Sequence, residues 1–94
     1  MLHIEILILD FHLEGCSSLK EKRARLRGLR DRFGRFSRVA ASESDHHDRH
    51  QSAQWTFVAV SSDREVVNNT LQQIELFSDA ELDAVITGRN RETI

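Results

Sequence analysis

Residues 2–13, Leu2-His3-Ile4-Glu5-Ile6-Leu7-Ile8-Leu9-Asp10-Phe11-His12-Leu13, decide the architecture. The stretch opens with period-two alternation, the pattern of a strand with one wet face and one dry face. From Leu7 the apolar set changes parity: Leu7, Leu9, Phe11 and Leu13 take over from Leu2, Ile4, Ile6 and Ile8. A β-bulge would do this, and so would a strand that is apolar on both faces. The second option needs a cover for the far face, and a partner subunit is the cheapest supply.

Working outward, Glu14-Gly15-Cys16-Ser17 reads as a loop. Ser18 stands three residues before Glu21, the capping-box spacing that marks a helix start. Leu19, Leu26, Leu29, Phe33 and Phe36 then fall within about 100° of one another on a helical wheel. The spacing predicts a helix from Leu19 to Phe33, with Gly34 as its stop. Ser37–Ser42 is a weak strand, and Glu43–Ala53 is a polar loop holding Asp45-His46-His47-Asp48-Arg49-His50. Trp55, Phe57 and Ala59 alternate with Thr56, Val58 and Val60, a clear third strand. Ser62, three before Glu65, is a second capping box, and Val67, Leu71 and Ile74 with Val66 or Phe77 supply the stripe of a second helix. Leu82, Ala84 and Ile86 alternate with Glu81, Asp83 and Thr87 as a last strand.

The order strand, helix, strand, strand, helix, strand is the α+β ferredoxin-like arrangement βαββαβ. It is a four-stranded antiparallel sheet with two helices on one face. The most apolar strands, first and third, take its centre. Ninety-four residues allow one such domain, 1–94. The absence of proline and a single cysteine exclude a proline-rich chain, a disulfide scaffold and a four-cysteine zinc site. The longest apolar run, Ile6–Leu9, falls short of the roughly 20 residues of a membrane span, and no basic leader segment opens the chain. A cytoplasmic, reduced protein without membrane contact is expected.

The formal net charge of −2 hides a separation. Between Lys20 and Arg38 nine basic residues face only Glu21 and Asp31, a local charge of +7, so the remainder carries −9. Lys20, Arg23, Arg27 and Arg30 cluster within about 80° on one flank of the apolar stripe, a row that reads as a solvated face salt-bridged to acidic neighbours or as a track for a phosphate backbone. Lys20, Lys22 and Arg23 lie in the first helical turn, where the dipole disfavours cations, and Lys22 falls inside the apolar arc itself. Residues placed against local stability often serve a ligand, and a helix N-terminus favours anions. A phosphate held by Lys22 and Arg23 is one expectation, and a buried salt bridge or a snorkelling stem at Lys22 is the other.

Other constellations promise less. Trp55 and Phe57 invite comparison with RNA-recognition modules, but the basic residue and glycine of that third-strand signature are missing, so core packing is expected. The histidine-rich segment offers ligand types without a fixed geometry, and no metal or other cofactor is expected there. Cys16 has no base paired with it, and no nucleophile elbow or phosphate loop occurs.

Ser18-Leu19-Lys20-Glu21-Lys22-Arg23 resembles the helix start of the YlxP-like bacterial family, the domain of unknown function numbered 503. The resemblance extends from Leu2 to about Ile86 and includes Glu43, Asp48, Gln51, Ala53 and Val60-Ser61-Ser62-Asp63. His50 and Ser52 stand where members usually carry Trp and Arg. The family implies a ferredoxin-like fold and no established activity. Its genes often neighbour those for translation initiation and ribosome maturation factors, which implies RNA or the ribosome as partner. The expectation is a non-enzymatic protein that binds RNA or a ribosomal surface through Lys20, Lys22, Arg23, Arg27 and Arg30. The rival expectation is a homodimer formed through the open sheet face that binds protein.

Overall fold

In the computed structural model, which describes residues 1–94, the first strand, β1 (His3–His12), lies at the centre of the sheet. Helix α1 (Leu19–Phe33) follows, then β2 (Val39–Asp45), β3 (Ser52–Ser61), α2 (Arg64–Glu81) and β4 (Val85–Thr93). The strand order is β2-β3-β1-β4 and every pairing is antiparallel. This is the ferredoxin-like fold expected from the order of elements.

The parity change in β1 is explained by burial on one face and openness on the other. Its ladder with β3 runs unbroken from His3↔Ser61 to His12↔Ser52, so no bulge separates these two strands. Leu7, Leu9 and Phe11 face the helices and are buried, whereas Ile4, Ile6 and Ile8 lie half-buried on the other face. Alternation along β3 agrees: Ala53, Trp55, Phe57 and Ala59 are buried, and Thr56, Val58 and Val60 share the open face. Each fully buried Leu or Phe contributes about 1.5–3 kcal/mol relative to exposure.

Helix α1 begins as expected, with Ser18 Oγ accepting from Glu21 N at 3.0 Å. It presents Leu26, Leu29 and Phe33 to the core. Phe33 is a hub there, its ring edge-on to Phe36, Phe57 and Phe77 with centroids 5.5, 6.5 and 5.4 Å away. Helix α2 buries Val67, Leu71 and Ile74.

Three boundaries differ from expectation. Asp63 caps α2 in place of Ser62, its carboxylate accepting from Glu65 N at 2.9 Å. β2 starts at Val39 and continues to Asp45, so the polar loop shrinks to residues 46–51. The last strand lies at Val85–Thr93, keeping only the end of the apolar alternation that suggested it and running on through polar residues. Its helix-facing positions include Arg89 and Arg91, which pack by charge. Arg89 grips Asp79 at 2.8 Å, and Arg91 meets Glu75 at 2.6 Å. The bond to Asp79, ahead of the loss from burial, raises the Arg89 pKa further above its ordinary value. No helix is long and apolar enough to cross a membrane.

Candidate functional site

The cations singled out on α1 meet in one cleft of about 390 Å³ between that helix and the β2–β3 side of the sheet. Lys20, Lys22, Arg23, Arg27 and Arg30 all line it, so the row read from helical spacing is a row in space. At 1.5 Å per residue it runs about 15 Å from Lys20 to Arg30. Leu26, Asp31, Glu43 and Trp55 complete the lining.

The five cations are not equivalent. Lys20, Arg23, Arg27 and Arg30 have no carboxylate oxygen within 4.0 Å and are absent from every ion pair of the molecule. Lys22 is only 2% exposed. Its ammonium donates to the carbonyls of His46 at 2.9 Å and Ser52 at 3.2 Å, and Glu43 Oε2 lies 3.0 Å away. The Glu43 contact is an ion pair without hydrogen-bond alignment, so the two carbonyls take the directed bonds. A lysine ammonium has three protons. With this many internal partners Lys22 is spent inside the protein, and the expectation that it faces a phosphate gives way to the buried salt bridge. It builds the wall of the cleft and ties α1 to the loop that carries the histidines.

Of the remaining cations of the basic segment, all but Arg35 have internal work. Arg25, 14% exposed at its side chain, donates from Nε to the Asp83 carbonyl at 2.8 Å and from a terminal nitrogen to the Glu14 carbonyl at 2.9 Å. It also pairs with Glu21 at 3.2 Å. That bond, with help from Ser17, holds the Glu21 carboxyl below its ordinary range. Arg32 lies over the rings of Phe33 and Phe77, and Arg38 donates to Thr70 Oγ1. Arg35 is exposed and lies outside the cleft.

Trp55 forms part of the cleft wall. It is 6% exposed, stacked on Phe57 at 6.2 Å, and has the Arg30 guanidinium 5.9 Å from its ring centre. Its indole Nε1–H is closed to solvent and has no hydrogen-bond partner. Buried donors are rarely left in this state. Sequence reasoning placed Trp55 in the core, which is correct, but missed that its edge of the core borders the cations. Glu43 was missed as well; it stands opposite Trp55 in the β2–β3 register, and only that register reveals the pairing. Since Trp55 and Phe57 face the helices, they are turned away from the open sheet face on which RNA-recognition modules stack bases.

The histidine segment does not bring three ligating side chains together. His46 takes a left-handed backbone (φ 62°), with its amide held by Asp45 Oδ1 at 2.7 Å, and His47 contacts the Glu43 carbonyl. Cys16 is buried, with its Sγ donating to the Ser18 carbonyl at 3.4 Å.

Among solved structures, the chain is similar to an amidase of the hydantoinase/carbamoylase family from Burkholderia phymatum, at 13% identity and a TM-score of 0.49. All of this chain is covered in that match, but it spans only 28% of the amidase. A de novo designed protein, Ferredog-Diesel, is 15% identical with a TM-score of 0.47, covering 95% of this chain and 83% of the design. No curated protein matches. A family model described as "Protein of unknown function (DUF503)" matches residues 4–91, and with the helix start, the fold and the basic α1 face all inside that span, the chain belongs to the DUF503 family.

Proposed function

We propose that the protein is a non-enzymatic binder of RNA or of an RNA-bearing ribosomal surface, and that the α1 cleft is its contact. The carrying observation is that Lys20, Arg23, Arg27 and Arg30 line one concavity and have no carboxylate of their own within 4.0 Å. Cations left unpaired beside one another repel, and a polyanion relieves that repulsion while releasing its own counterions. These contacts supply affinity and position and carry no base code. Four contacts on a single strand give a salt slope of about −2.8, so affinity falls roughly fiftyfold between about 50 and 200 mM salt. Fluorescence anisotropy with labelled RNA measures this directly. Binding indifferent to salt, or no binding at low salt, ends the proposal.

A second reading is favoured by the open sheet face. Ile4, Ile6, Ile8, Val58 and Val60 lie side by side there, flanked by Thr56, by Asp10, and by Asn90 and Glu92 on the edge strand β4. In this reading a second copy of the chain covers the face, since an apolar surface of this kind marks an interaction site. Light scattering then gives a dimer that Ile6→Asp converts to monomer. A wild-type protein that stays monomeric at high concentration removes this reading.

A further inference from the structure

We infer that the α1 cleft takes one nucleoside phosphate at a time, as an unpaired residue of an RNA strand or as a free nucleotide, and not the backbone of a duplex. The inference rests on the polyanion reading above and narrows it to a ligand class.

Three observations carry it. First, the site is concave, and its 390 Å³ fall within the size range of small-molecule pockets. Second, the wall is mixed. Lys20, Arg23 and Arg27 supply charge for a phosphate, while Leu26 and Trp55 supply apolar surface that a bare anion does not use. Third, the Arg30 guanidinium lies over the Trp55 ring, 5.9 Å from its centre, so an arginine plane and an aromatic face border the same cleft. Bases stack on aromatic rings and on arginine planes, and such contacts tolerate any base.

The orphaned Trp55 Nε1–H agrees with this assignment. It is a donor in a 6% exposed residue, with neither a protein partner nor solvent access. A phosphate that draws the Arg30 side chain off the indole opens the ring to the ligand. The ligand then gains both the charge of Arg30 and the face of the indole ring.

Trp55 is the only tryptophan and the chain has no tyrosine, so its emission reports this one site. The full chain is titrated with adenosine monophosphate, inorganic phosphate, a single-stranded oligouridylate, and a labelled RNA duplex whose binding is followed by anisotropy. Variants Arg30→Gln and Arg35→Gln each lose one charge, the second outside the cleft. The nucleotide and the single strand should change Trp55 emission saturably. Arg30→Gln should weaken both by about tenfold or more, the loss expected for a charged hydrogen bond, and Arg35→Gln should not.

Inorganic phosphate matching the nucleotide at equal ionic strength would overturn the inference, because only an anion would then be recognised. Duplex binding with a steep salt slope, while nucleotide and single strand leave Trp55 silent, would overturn it too, and the polyanion reading would survive. Nucleotide binding without RNA binding would uphold the inference for the free nucleotide and remove the RNA reading. Silence from every probe at low salt would sink both.

Discussion

Replacing Lys22 by methionine tests how the cleft wall is held. The change keeps the length of the stem and removes the ammonium. Glu43, whose side chain is 21% exposed, then keeps a half-buried carboxylate with no cation, and the His46 and Ser52 carbonyls lose their donor. Breaking a buried pair by removing one partner costs about 3–5 kcal/mol, and the partial exposure of Glu43 argues for the lower end, about 3 kcal/mol. With an unfolding entropy of about 2.1 cal/mol/K per residue, the 94-residue chain has about 200 cal/mol/K, so the loss lowers Tm by about 15 °C. The double variant Lys22→Met/Glu43→Leu removes both charges and should recover most of that loss, because the largest part of it is the stranded carboxylate. Calorimetric unfolding of wild type, both single variants and the double variant closes the cycle. A drop below about 5 °C for Lys22→Met refutes the account of Lys22 as an internal strut, and a double variant no more stable than the single assigns the loss to the two carbonyl bonds instead of the carboxylate.

Arg25→Ala removes the donor to two carbonyls and should cost about 2 kcal/mol, near 10 °C in Tm, without altering anion binding, since Arg25 is outside the cleft. An equal loss of RNA affinity would contradict that separation. The Glu21 carboxyl is depressed in the folded state, so its contribution exists above its ordinary value of 4.5 and disappears as pH falls through the lower folded value. The Tm gap between wild type and Glu21→Gln should therefore shrink toward strong acid, and a gap constant from neutral pH down would show that the Arg25 pairing adds nothing.

Legibility in the sequence followed the range of the signal. Helix α1 was readable to its ends because its cap is three residues from its partner and its stripe is internal to the segment. β1 was readable because both of its faces are apolar. β4 was displaced because its inward positions hold Arg89 and Arg91, which are satisfied by Asp79 and Glu75 of α2, so the strand never shows a run of apolar alternation. The cap of α2 was misplaced by one residue because Ser62 and Asp63 both suit the role locally, and only the chain's exit from β3 selects between them. Within the cleft, Arg23, Arg27 and Arg30 were found by helical spacing alone. The choice among the readings of Lys22 was not, since its acceptors stand 24 and 30 residues away across a strand register that no local pattern encodes. For the same reason Glu43 and Trp55 escaped notice as neighbours of the cations.

The hold that Lys22 keeps on the following loop passes through main-chain oxygens of His46 and Ser52, not through their side chains. Every residue type offers the same carbonyl, and the left-handed backbone at position 46 restricts the choice there only to residues that accept it. Substitution at His47, Asp48, Arg49 or His50 therefore leaves the anchor intact. The turn between β2 and β3 can change its side-chain chemistry freely, while the post it is fastened to stays where it is.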